Sequence, residues 1–336
     1  MRDGYPLIEL HRHLEGNARL TTIIELARQH GLSLPGWDVE SLRPFGQVVG
    51  KSSDVMAFIA KFDLLRGVLV DYDAVRRLVK ENLEDAVAEG IDYIELRFSP
   101  YFMAEMHGLD TVLVTEAVCQ SLNDAACGLG VKAKLICILS RTYGPERAYE
   151  ELSAAIRFAS NGIVAIDLAG NERDFPGQLF VRHFAKAREA GLRTVAHAGE
   201  AAGAHSVRQA IEGLGAERIG HAVSAKDDPK LLDLIAEREI AIESCPTSNV
   251  QTNTVSSYGA HPLPLFLRRG LLVTLNTDDP GISNIDLRHE FAVAEREMGL
   301  RADELLQLQR NALKAAFLSD DERIHLVSGF RAGHTA

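Results

Sequence analysis

The 336-residue chain is short of cysteine, of basic charge and of long apolar runs, and each shortage excludes a class of protein. Four cysteines, Cys119, Cys127, Cys137 and Cys245, are too few and too irregularly spaced for a disulfide framework or a CxxC metal knuckle, and they read as buried thiols in a reducing compartment. Lys and Arg number 36 against 47 Asp and Glu, a formal charge of −11. With no long basic run, the electrostatic footprint of a nucleic-acid binder is missing. No apolar run approaches the roughly 20 residues that cross a bilayer, and the first thirty residues hold no apolar core of a signal peptide. At 46% apolar and 25% charged, the composition is that of a soluble folded protein. The expectation is a cytoplasmic protein with a small or neutral partner.

What is present is a repeating alternation. Eight short runs rich in Val, Ile and Leu lie at 6–10, 91–98, 132–139, 163–168, 193–197, 218–222, 240–244 and 271–276. Stretches with helical spacing separate them, as at 74–89, where Leu78, Val79, Leu83, Ala86 and Val87 share one stripe. Six of the seven helix-to-strand junctions carry a glycine that could end the helix, namely Gly90, Gly130, Gly162, Gly191, Gly215 and Gly270. Alternating strands and helices imply a parallel sheet, and eight strands apolar on both faces predict closure into a (β/α)8 TIM barrel. An open doubly wound sheet is the alternative, but no GxGxxG follows the first run. About 80 residues separate the first two runs, so residues about 14–90 read as a helical insertion after strand 1, with helical patterns at 18–30, 54–66 and 74–89. Nothing divides the chain further, and 1–336 reads as one domain. Within the insertion Phe58, Ile59 and Phe62 share a face, which either packs on the barrel or forms a lid over its mouth.

In such a barrel catalytic groups sit at the C-terminal strand ends, and here those ends are polar. The first run leads into His11-Arg12-His13, the fifth into His197-Ala-Gly-Glu200, the sixth into Gly220-His221 and the eighth into Asn276-Thr277-Asp278-Asp279. Two histidines two apart on an extended segment point to one side, and by themselves they are as easily exposed as ligating. With His197 and Asp278 brought alongside by closure, they make a three-nitrogen, one-carboxylate set that suits zinc best and leaves a position for water. The plain reading of Asp278-Asp279 is a solvated turn before Pro280. Glu200, held near apolar walls, would keep a proton to donate, and His221 would serve as base or electrostatic partner. Gly170 would open a backbone amide to a ligand. The fourth strand ends Asp167-Leu168-Ala169-Gly170, without the lysine that commonly bridges paired metals, so one ion per chain is expected.

LHRHLEGN, FSP, SRT, IDLAGNE, HAGEAAG, ERIGHAV, SCPTSN and LNTDDPG, in this order and across essentially the whole chain, closely resemble the adenosine deaminase family, particularly its bacterial branch. The resemblance implies His11, His13, His197 and Asp278 as ligands of one Zn2+. It implies Glu200 as proton donor to purine N1, His221 beside the attacking water, Gly170 facing N3, Asp279 facing N7, and Phe58, Ile59 and Phe62 as the nucleoside cover. The implied reaction adds a zinc-activated water to C6 of adenosine or 2′-deoxyadenosine and releases ammonia. The partner is then a small purine, without nucleic acid or membrane, and the chain reads equally as monomer or homo-oligomer. Glu15 stands where adenosine-specific members usually have aspartate, near the ribose 5′ end, and Asn171 and Ala222 replace a more common aspartate and glycine. Glutamate at 15 resembles relatives acting on adenine, so adenine, or a 5′-modified adenine nucleoside such as aminodeoxyfutalosine, is the second expectation. From other classes, a metal-dependent amide, ester or phosphoester hydrolase and a non-catalytic purine binder stay open.

Overall fold

The apolar runs form strands that pair in chain order. In the computed structural model, which describes residues 5–333, these are β1 (Ile8–His13), β2 (Tyr93–Phe98), β3 (Lys132–Ser140), β4 (Ile163–Ala169), β5 (Arg193–Ala198), β6 (Arg218–His221), β7 (Ala241–Ser244) and β8 (Val273–Leu275). All seven ladders are parallel, and the sheet order is β1 to β8. The ends meet beyond β8. Asp278 N donates to His11 O and His13 N donates to Asp278 O, both at 2.8 Å, joining the first strand to the segment after the last. The architecture is a nearly closed (β/α)8 barrel, as expected.

Alternation along each strand builds two interiors. On β2, Ile94, Leu96 and Phe98 join the large core between sheet and helices, while Glu95 and Arg97 face the lumen. There Arg97 pairs with Asp167 (2.6 Å) and Glu243 (2.7 Å), and Arg218 pairs with Glu95 and Glu243 (2.6 Å each). Removing one member of such a buried pair strands the other, at a cost of about 3–5 kcal/mol. Phe317 closes the lumen below, with its ring centroid 3.8 Å from the Arg218 guanidinium, packed among Ile136, Ala165 and Val195.

Between β1 and β2 lie α1 (Leu20–Gln29), α2 (Val39–Gly46), α3 (Val55–Ile59), α4 (Asp63–Arg66) and α5 (Tyr72–Glu89). The single helix expected over 54–66 is instead α3, a 3₁₀ turn at Ala60–Phe62, and α4. Packing overrides the spacing, because Phe58 and Phe62 both turn inward onto Ile282 and Phe102. All six junction glycines take positive φ, and at the seventh junction Glu239 does so at 51°. Cys119, Cys137 and Cys245 are buried, but Cys127 is exposed, against expectation. It lies nine residues, or about half a turn in phase, from the buried Val118 on one helix, and so faces water. Among the described residues no helix is long and apolar enough to cross a membrane.

Candidate active site

The end of β1 splits its side chains between two tasks. Arg12 turns outward and makes a bidentate pair with Glu89 at the end of α5 (2.8 and 2.7 Å), with Thr277 Oγ1 accepting from its Nε. That clamp fixes the strand end and sends His11 and His13 the other way. His11 Nδ1 lies 2.6 Å from Glu243 Oε2, and His197 Nδ1 lies 3.0 Å from Asp167 Oδ2. Burial alone would raise both acids. Arg97 and Arg218 hold Glu243 below the usual carboxylate range, while His197 and Arg97 do so for Asp167. An ionised carboxylate only accepts, so each imidazole donates from Nδ1 and keeps a bare Nε2.

Those bare nitrogens converge. His13 Nε2 is 3.3 Å from His197 Nε2 and 3.1 Å from Asp278 Oδ1, and His11 Nε2 is 3.2 Å from the same oxygen and has no hydrogen-bond partner. One ligand atom from each of His11, His13, His197 and Asp278 lies within 4.8 Å of the others. A tetrahedral ion with bonds of about 2.0–2.1 Å holds its ligands about 3.3 Å apart, so the donor set fits one such cation. Burial lowers the pKa of His197, and that of His13 to about 4, keeping both in the neutral state that ligates. Burial would raise the Asp278 carboxyl, but the imidazoles of His11 and His13 beside it hold it well below its ordinary range. Glycine at 220 is required here, since a Cβ would fall 2.9 Å from His11 Cε1. His221, Cys245 and Asp278 form a second close group, but burial holds the Cys245 thiol well above its ordinary pKa, the wrong state for a ligand.

Around this centre the remaining side chains stand in graded protonation states. Glu200 sits on the loop after β5, and Glu172 shapes that loop by accepting from Gly199 N (2.6 Å), Ala201 N (2.7 Å) and Ala202 N (2.9 Å). Burial first, then the charge of Asp278, pushes the Glu200 carboxyl well above its ordinary range, which favours the protonated form. The same two causes raise Asp279, whose Oδ1 is buried without a partner. Burial takes Glu15 to about 7, with Oε1 accepting from Ser99 N at 2.8 Å. His221 and Asp278 take left-handed backbone angles, φ 67° and 65°. Such strain collects where a strand end must aim a side chain.

A cavity of about 360 Å³ opens above the centre. Of the candidate ligand, proton-transfer and substrate-contact residues read from the sequence, all line it except His11, which lies buried beneath, whereas Asn171 and Ala222 are not among its lining. Phe58, Ile59 and Phe62 cover one side, Gly170 (φ 108°) sits on another, and Glu200 and His221 stand together with Nε2 3.6 Å from Oε2. Sequence reasoning missed the residues that hold these in place: Asp167, Glu243, Arg97 and Glu172. A signal existed, since an acid inside IVAIDL or IAIES, or an arginine inside YIELRF, is costly in a buried strand unless paired.

The profile of a protein family described as adenosine deaminase matches residues 6–332. A relative from Shewanella loihica named adenosine deaminase is 51% identical over 318 residues, covering 95% of this chain and 96% of its own. Among solved structures, an adenine deaminase from Arthrobacter aurescens superposes with a TM-score of 0.86 at 26% identity, covering 99% of this chain and 100% of its own. An amidohydrolase from Burkholderia ambifaria with bound Zn also reaches a TM-score of 0.86 at 26% identity, covering 99% of this chain and 91% of its own.

Proposed function

The chain belongs to the adenosine deaminase family, and from that premise we infer that it is a hydrolytic deaminase converting adenosine or 2′-deoxyadenosine and water to inosine or deoxyinosine and ammonia. His11, His13, His197 and Asp278 are proposed to hold one divalent ion, zinc by the chemistry of the donor set. Such an ion, bound by these four residues, would supply an activated water nucleophile at neutral pH. Glu200 keeps its carboxyl proton and delivers it to purine N1, which weakens the aromatic ring as C6 is attacked. Asp279, also protonated, donates to N7, and the Gly170 amide meets N3. His221 stands beside the nucleophile and orients it, and Phe58, Ile59 and Phe62 exclude water from the purine. The observation that carries this reading is the joining, in one cavity, of a metal-fit donor set with the Glu200 carboxyl.

Glu15 favours a second substrate reading. It lines the cavity with Oε1 accepting from Ser99 N, and it is one methylene longer than the aspartate usual in adenosine-specific members. An ultraviolet assay of the zinc-loaded protein against adenosine, 2′-deoxyadenosine, adenine and 5′-substituted adenosines, with ammonia measured in parallel, separates the two. Highest kcat/KM for the two nucleosides supports the first reading. Preference for adenine or a 5′-substituted nucleoside transfers the assignment to the second, and no ammonia from any of them overturns both.

A further inference from the structure

A line of buried polar side chains runs from the cavity into the layer behind it, and its direction is set at the far end by the backbone. Leu263 N donates to His261 Nδ1 at 3.1 Å. A backbone N–H has no other role, so His261 Nδ1 is bare and its ring proton must sit on Nε2. That Nε2 lies 3.1 Å from Asn249 Oδ1 and donates to it. The amide is thereby oriented, because the flipped amide would set two donors against each other. Asn249 Nδ2 then faces His221 Nδ1 at 3.1 Å and donates to it. An imidazole accepting at Nδ1 carries its proton on Nε2, and His221 Nε2 is the atom aimed into the site, 3.6 Å from Glu200 Oε2 and 3.9 Å from Asp278 Oδ2.

We propose that Asn249 and His261 are positioning residues that lock the tautomer of His221, so that His221 offers an N–H to the reacting oxygen and acts as hydrogen-bond donor, not as base. Neither residue is among those lining the cavity, so both act through His221. Asn249 sits in the buried helix Pro246–Gln251, and His261 follows the 3₁₀ turn Tyr258–Ala260 and precedes Pro262. All three side chains are buried, where leaving a polar atom unpaired is costly, so the chain of donors is held in one direction. A donor at Nε2 stabilises negative charge on an oxygen that approaches it and has no lone pair with which to take a proton. The inference rests on the deaminase reading for its consequence, but the tautomer itself is independent of substrate.

Nitrogen NMR of zinc-loaded protein labelled with 15N-histidine tests it directly, the His221 signals being identified by their loss in His221→Gln. The expected spectrum has a bare, pyridine-type Nδ1 and a protonated, pyrrole-type Nε2. Asn249→Asp keeps the volume but puts an acceptor against both imidazoles, which draws a proton onto His221 Nδ1. The expected result is a kcat lower by about tenfold or more, with KM within about twofold and zinc content unchanged. His261→Gln keeps a donor toward Asn249 Oδ1 and is expected to keep the wild-type His221 signature and most of kcat. A proton on Nδ1 in the wild type overturns the proposal, as does Asn249→Asp with either an unchanged signature or full kcat. If Asn249→Asp does not fold, the wild-type spectrum still decides. If adenosine proves not to be the substrate, that spectrum stands apart from the failure.

Discussion

Glu200 illustrates how a single side chain acquires a task from its surroundings. A carboxyl in water is ionised at neutral pH, but here burial and the nearby Asp278 charge both oppose ionisation, so the proton is retained. In the proposed reaction the acid form is the active one. Activity therefore holds while Glu200 remains protonated and falls as pH rises through its raised pKa. Glu200→Gln preserves the shape and removes the transferable proton. The expected result in steady-state assays is a kcat lower by at least about 10²-fold with metal content unchanged. Near-normal turnover would remove Glu200 from the role. Its loop is held by the Glu172 carboxylate through three backbone N–H groups, a support that no spacing pattern in the letters announces.

At the scale of elements, the strands were legible because buried strands need apolar residues, and all eight runs overlap the observed strands. Their ends were less so. The first run, read as 6–10, continues as strand to His13 because the polar HRH is paired through Asp278, a residue 265 positions on from His13. Polar residues that close a barrel look like loop in one dimension. The histidines and acids of the site were legible as chemistry placed at strand ends. The acids behind them, Asp167 and Glu243, were hidden inside apolar runs, and their purpose appears only when Arg97 from β2 meets both. The 54–66 segment shows the opposite failure. Its helical spacing is real, but two aromatic side chains drawn to one pocket tighten the middle into a 3₁₀ turn.

The whole molecule carries a cost for burying acids. Burial raises Glu151 and Glu290 to about 8 each, against hydrogen bonds that favour the ionised form, among them Ser140 N to Glu151 at 2.6 Å. A folded-state pKa above the unfolded value means that the contribution is fully present at low pH and is lost as pH rises from about 4.5 to about 8, at up to about 1.4 kcal/mol per pH unit for each group. Urea unfolding at pH 5 and pH 8 is therefore expected to show Glu151→Gln gaining stability relative to wild type as pH rises. A pH-independent difference would contradict the assignment. The same closure that buries these acids joins residues from opposite ends of the chain, His11 and Asp278, to His197 at its middle, and the proposed chemistry depends on that meeting. The most direct test is the zinc content per chain of wild type and His197→Ala, loaded in parallel and shown by circular dichroism to be folded. The account predicts one ion per chain in the wild type, and loss of both metal and deamination in the variant. A His197→Ala protein that keeps its full complement of zinc would contradict it.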